Sequence, residues 1–200
     1  MLTSITPLGE RGRGNRYALT VTAYLVGSVL GGATTGVLLG AVGGLVAAPL
    51  PGGVRLLLAA LVCALAAVAD AAALRTGWHL PGGRRQVDED WLTRYRGWVY
   101  GGAFGFQLGL GVVTIVTSAA TFALLALVVL SGGPAPGLAL GVTFGLVRAL
   151  PLLGLRGVHS PEALRSAARA VVSRASTAGH AVVVVLGASA AVLATGAVQA

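Results

Sequence analysis

The stretch YALTVTAYLVGSVLGGATTGVLLGAVGGLVAA, from Tyr17 to Ala48, contains no charged residue and places glycine at 27, 31, 32, 36, 40, 43 and 44. A helix of this composition has no polar face to turn to water, so hydrocarbon is its natural surroundings. About 20 apolar residues cross a bilayer. Taken as one helix the stretch would be roughly 45 to 50 Å long, so it must be tilted, broken or folded into two short crossings.

Four further apolar segments lie downstream: Val54 to Leu74, Trp98 to Leu130, Gly137 to Leu155, and Ala178 to Val198. The third long stretch, Trp98 to Leu130, poses the same length problem as the first. Hydrophobic residues make up 56% of the chain and charged residues only 10%, against roughly 25% charged in a soluble domain. The expected fold is therefore all-α, a polytopic transmembrane helix bundle of about five spans, with six or seven as the alternative.

The net charge of +8 comes from 14 basic residues, every one an arginine. They do not form the basic face of a nucleic-acid binder. Most fall in three blocks beside the apolar segments: Arg11, Arg13 and Arg16; Arg75, Arg84, Arg85, Arg94 and Arg96; Arg156, Arg165, Arg169 and Arg174. If each segment crosses once, all three blocks share one side, and the positive-inside rule makes that side the cytoplasm. The linkers Pro49–Gly53 and Ser131–Pro136 carry no charge. This predicts an inner-membrane protein with its amino terminus inside, an uncleaved first helix and Arg55 as the exception, snorkelling from a helix end. Trp78, His79, Trp91, Tyr95, Trp98 and Tyr100 are placed as an interfacial belt would be.

The organisation expected is a cytoplasmic segment 1–16, a bundle 17–155 interrupted by a cytoplasmic loop 76–97, an amphipathic cytoplasmic helix 156–177, and a last span 178–200. Ser160, Pro161 and Glu162 supply an N-cap, a first-turn proline and a carboxylate at the positive end of that amphipathic helix. Arg165, Arg169 and Arg174 on it would meet anionic lipid head groups. The triplet Asp88, Glu89, Asp90 reads as a helix start, because adjacent helical carboxylates point in different directions and make a poor metal site.

Gly27, Leu30 and Gly31 recur as Gly105, Leu108 and Gly109, an offset of 78 (105 − 27), and Gly52-Gly53 recur as Gly132-Gly133 at 80 (132 − 52). Either 17–75 and 98–155 are duplicated halves or low complexity produces the coincidence. Gly27 and Gly31, Gly36 and Gly40, and Gly101, Gly105 and Gly109 sit four apart and form small-residue faces for close helix packing. The competing reading is a polar pocket lined by Ser28, Thr34, Thr35, Gln107, Thr114, Thr117 and Ser118, since a glutamine amide in hydrocarbon needs partners.

Asp70 and Arg148 are the ionisable residues placed well inside apolar segments, at the same offset of 78 (148 − 70). A charge there is costly unless paired or hydrated, so a salt bridge between them is expected, either as a structural lock or as a gate near Pro151. His159 and His180 read as interfacial residues. Cys63 is alone, which excludes an internal dithiol. No nucleophile–base set, cofactor fingerprint or metal-ligand spacing is present, so neither enzyme activity nor a cofactor is expected.

The run Gly102-Ala103-Phe104-Gly105-Phe106-Gln107-Leu108-Gly109-Leu110-Gly111 resembles the Gly/Phe-rich repeat helices of thiol–disulfide conduits of the CcdA and DsbD type, within the LysE-like transporters. The resemblance implies paired inverted repeats of three crossings. Those conduits carry a Pro-Cys element in each repeat, and here Leu110-Gly111 and Gly32-Ala33 stand in its place, so redox activity is not implied. From the residues together, a permease-like protein binding or moving a small solute is expected. A non-transporting subunit of a larger complex is the alternative, with a second copy or a membrane partner against its glycine faces.

Overall fold

The computed structural model describes residues 5–77, 94–111 and 118–199. The acidic triplet, Trp78, His79, Arg84, Arg85, Trp91, Thr114 and Thr117 lie outside them. Among the described residues all regular structure is helical: α1 (Pro7–Gly12), α2 (Tyr17–Val46), α3 (Gly52–Thr76), α4 (Gly97–Gly109), α5 (Ala120–Leu130), α6 (Pro134–Leu153) and α7 (Pro161–Gln199). Four of these, α2, α3, α6 and α7, are long and apolar enough to cross a membrane. The chain is thus a helical membrane protein.

The physical causes of the helix ends are local. Thr6 caps α1 through a bond from the Gly9 amide at 3.1 Å, with Pro7 in the first turn. Gly77 ends α3 in the left-handed conformation (φ +69°), which a side chain would resist, and returns its amide to the Ala73 carbonyl. The 30-residue α2 is unbroken, because its glycines are spread along an otherwise strongly apolar run and proline comes only at Pro49.

The stretch Trp98 to Leu130, whose length required it to be tilted, broken or folded, holds two helices, α4 of 13 residues and α5 of 11. Gly111 follows α4 with φ +77°, a backbone that an α-helix cannot include. The amphipathic helix and last span expected as 156–177 and 178–200 are one helix, α7, of 39 residues. Its alanine-rich middle carries Gly179 but no proline, so nothing stops the turn-to-turn ladder. Ser160 caps its start, accepting from the Ala163 amide at 3.2 Å.

The helices form two compact units, to both of which α2, α6 and α7 contribute. In unit 1 (described residues through Thr34, 94–111, and Gly141–Arg174) the core is Ile5, Val21, Tyr24, Tyr100, Phe104, Ala149 and Leu152. The Tyr24 and Phe104 rings meet at 5.7 Å in a tilted arrangement. In unit 2 (Thr35 through 77, 118–140, and 175–199) Ala66 and Ala67 of α3 pack on Ala119, Ala123 of α5 and Leu186 of α7. The small side chains let α3 and α5 lie close. Much of the rest is apolar surface facing outward, including Leu45, Leu65, Val68, Val184 and Val192, as a lipid-facing exterior requires.

Candidate functional site

Within unit 1 the approach of α2 to its neighbours is backbone to backbone. A Cβ added at Gly105 would lie 2.1 Å from the Tyr24 carbonyl oxygen, and one at Gly27 would lie 2.2 Å from that of Gly102. Gly31 meets the Phe106 carbonyl, Gly101 that of Thr20, and Gly109 that of Ser28. The stretches related by the 78-residue offset therefore face each other. On α6, Gly145 and Gly141 meet Ser28 and Gly32 in the same way. Within unit 2, Gly40 meets Gly133, and the Gly36 carbonyl faces Gly137. Contacts of this closeness gain from dispersion and from Cα–H···O contacts, and they tolerate no side chain.

Of the residues read as a polar pocket, Thr114 and Thr117 lie outside the described residues, and each of the others is described within its own unit. Ser28 is fully buried and donates to the Gly145 carbonyl at 2.8 Å, sealing α2 on α6. Thr34 is exposed and donates to its own helix at Leu30. Gln107 is half-buried in unit 1, Thr35 half-buried in unit 2. Ser118 serves Asp70.

The Asp70 carboxylate, 6% exposed, accepts from the Ser118 hydroxyl and from the Ala119 amide, both at 2.7 Å. Asp70 thereby holds the start of α5, where free amides and the positive helix end favour a carboxylate. Arg148, in unit 1, stands over the Phe144 ring at 5.3 Å. Asp70→Ala is expected to destabilise the protein by about 1 to 3 kcal/mol, the cost of leaving a buried amide and hydroxyl without their acceptor. Thermal unfolding in detergent measures it.

A third polar cluster was not legible in the sequence. Glu10 of α1 is wholly buried. Its Oε2 accepts from the Thr20 hydroxyl at 2.8 Å, and its Oε1 accepts from Arg13 at 2.6 Å and from the Tyr100 hydroxyl in a very short bond. Asn15 joins the set, donating to Tyr100 Oη at 3.4 Å and accepting from the Gly97 amide at 3.3 Å. Burial pulls the Arg13 pKa down, but its bonds to Glu10 and Tyr100 outweigh this and hold it above the usual arginine value. A raised pKa contributes stability at every pH below the ordinary arginine range, so Arg13 stays cationic wherever the protein functions. The cluster ties residues 5–16, part of the segment 1–16 expected to be cytoplasmic, to the starts of α2 and α4. The signal available was Thr6-Pro7, a helix start, with Glu10 and Arg13 three apart.

Unit 2 also holds an apolar groove of 870 Å³ between α3, the α5–α6 turn and α7. Leu56, Ala59 and Cys63 form one wall and Val185, Ser189 and Leu193 another, with Arg55 at one end.

These features describe a helical membrane protein whose polar groups are largely committed to holding its own helices. Among known proteins it is similar to the methylamine utilization protein MauF of Paracoccus versutus, 35% identical over 159 residues, covering 75% of this chain and 56% of the relative. It is also similar to MauF of Methylophilus methylotrophus, 31% identical over 157 residues, covering 76% of this chain and 53% of the relative. The chain thus spans about half the length of the curated relatives it matches. No family model matches it, and no solved structure does.

Proposed function

We propose that this chain is a membrane-embedded accessory subunit that assembles with other membrane components, and that the process it serves is utilization of a small amine, the process for which its relatives are named. The observation that carries this reading is the backbone contact of α2 with α4 and α6, together with the use of Ser28 and Asp70 inside the fold. A solute path needs polar groups left over for the solute, whereas Ser28, Thr34, Ser118 and Asp70 already bond within the fold. The proposed setting is the cell membrane with the amino terminus and the arginine blocks inside, where Arg165, Arg169 and Arg174, all exposed on α7, reach anionic head groups. The proposal includes no catalysis. The likeness to thiol–disulfide conduits enters it only as a shared way of packing Gly/Phe-rich helices, and descent of 17–75 and 98–155 from one ancestral half is kept as part of it.

A second reading, a permease for a small solute, is favoured by one feature. The interruption between α4 and α5, with Asp70 on the amino end of α5, is the kind of helix break at which transporters hold ions and substrates. Proteoliposomes containing the full chain, assayed with labelled methylamine, separate the two. The accessory reading expects no flux above empty liposomes and a stoichiometric partner on mild-detergent purification. Flux that falls at least tenfold in Asp70→Asn and Gln107→Leu selects the permease.

A further inference from the structure

Arg55, like Arg148, stands outside the three arginine blocks. It lies in the first turn of α3, at the end of the apolar groove. Its Nε is buried with no hydrogen-bond partner among the described residues. A Cβ added at Gly132 would stand 2.6 Å from one of its terminal nitrogens, so the α5–α6 turn lies directly against the guanidinium. Beside it, Gly52 begins α3 after Pro51, which gives no side-chain cap. A side chain at Gly52 would meet nothing within 4 Å, so there is open space beside the first turn of the helix.

We propose that the groove binds one anionic phospholipid, its phosphate on Arg55 and the amino end of α3, and an acyl chain along the groove. The two ends of the site differ in chemistry as such a molecule does. From Leu56 to Cys63 on α3 and from Val185 to Leu193 on α7 the walls are apolar apart from Ser189, over roughly 10 to 12 Å at the helical rise. At the other end a guanidinium, which matches phosphate in two-point geometry, meets the positive end of a helix dipole. Surrounding lipid tails are as apolar as the groove, so the tail contributes shape and the head group contributes selectivity. A hydrophobic partner helix would fill the walls but would leave Arg55 without its anion.

The test is native mass spectrometry of the full chain in mild detergent with added palmitoyl-oleoyl phosphatidylglycerol or phosphatidylcholine. The expected result is one retained phosphatidylglycerol per chain, with phosphatidylcholine bound about tenfold more weakly. Arg55→Gln is expected to weaken phosphatidylglycerol about tenfold, the scale of a charge-assisted contact. Ala188→Phe fills the groove from the exposed face of α7 and is expected to lower retention of both lipids. Equal retention of the two lipids overturns the proposal. So does wild-type phosphatidylglycerol retention in Ala188→Phe, which decides the matter even if Arg55→Gln fails to fold. A stoichiometric polypeptide that displaces lipid from the wild type also overturns it, in favour of a partner helix.

Discussion

Gly105→Val is expected to be the most damaging single substitution in the bundle, lowering stability by about 3 kcal/mol or more and abolishing a monodisperse detergent-solubilised species. The added Cβ would be placed 2.1 Å from the Tyr24 carbonyl oxygen and 3.0 Å from the Ser28 amide nitrogen. Neither is a flexible side-chain end that can swing away. To make room, α4 must withdraw from α2, and the Tyr24–Phe104 ring contact and the neighbouring glycine contacts go with it. Overpacking in a side-chain core costs about 1 to 3 kcal/mol because rotamers can adjust, whereas two rigid backbones cannot. Gly187→Ala supplies the contrast. Nothing lies within 4 Å of a Cβ there, on the exposed side of α7, and the helical preference for alanine is expected to leave stability unchanged or raise it by up to about 1 kcal/mol. Equal unfolding temperatures for the two variants would remove the backbone-contact account of α2 and α4.

Glu10→Ala is expected to rank next, at about 3 to 5 kcal/mol, the cost of breaking a buried ion pair from one side. It removes one acceptor side chain from three donors at once: Arg13, Thr20 and Tyr100. Glu10→Gln keeps the shape and an acceptor, so it is expected to cost less than the alanine variant. The readout specific to this cluster is trypsin cleavage after Arg11, Arg13 and Arg16, which is expected to accelerate once α1 is released from α2 and α4. Tyr100→Phe combined with Glu10→Ala should cost less than the sum of the two, because both remove the same bond. Additive losses together with an unchanged cleavage rate would show that α1 is held elsewhere.

Most of the membrane-helix character was legible because it depends on what lipid excludes. A run such as Tyr17 to Val46 has no alternative to burial in hydrocarbon, and composition alone conveys that. Helix interruption was less legible. Gly111 and the capping of α5 by Asp70 split the stretch from Trp98 to Leu130, yet glycine abounds in this chain and most glycines sit inside helices without bending them. The spacing of glycines along α2 marks small faces, but it does not say which helix meets them. The partners of Asp70 were illegible for a related reason: a carboxylate can be satisfied by an amide and a hydroxyl, here those of Ala119 and Ser118, and neither bears a charge that composition records. Glu10 escaped notice because a carboxylate in a polar leader looks solvated until Tyr100, 90 residues away, is placed on it.

The continuity of α7 has a geometric consequence. Its 39 residues would extend nearly 60 Å, about twice the hydrocarbon thickness of a bilayer, so a substantial length must tilt or project beyond the lipid. A length that leaves the lipid must find water or head groups for its side chains, which suits the serines and arginines from Arg165 to Ser176 and would not suit the run of valines at 182–185.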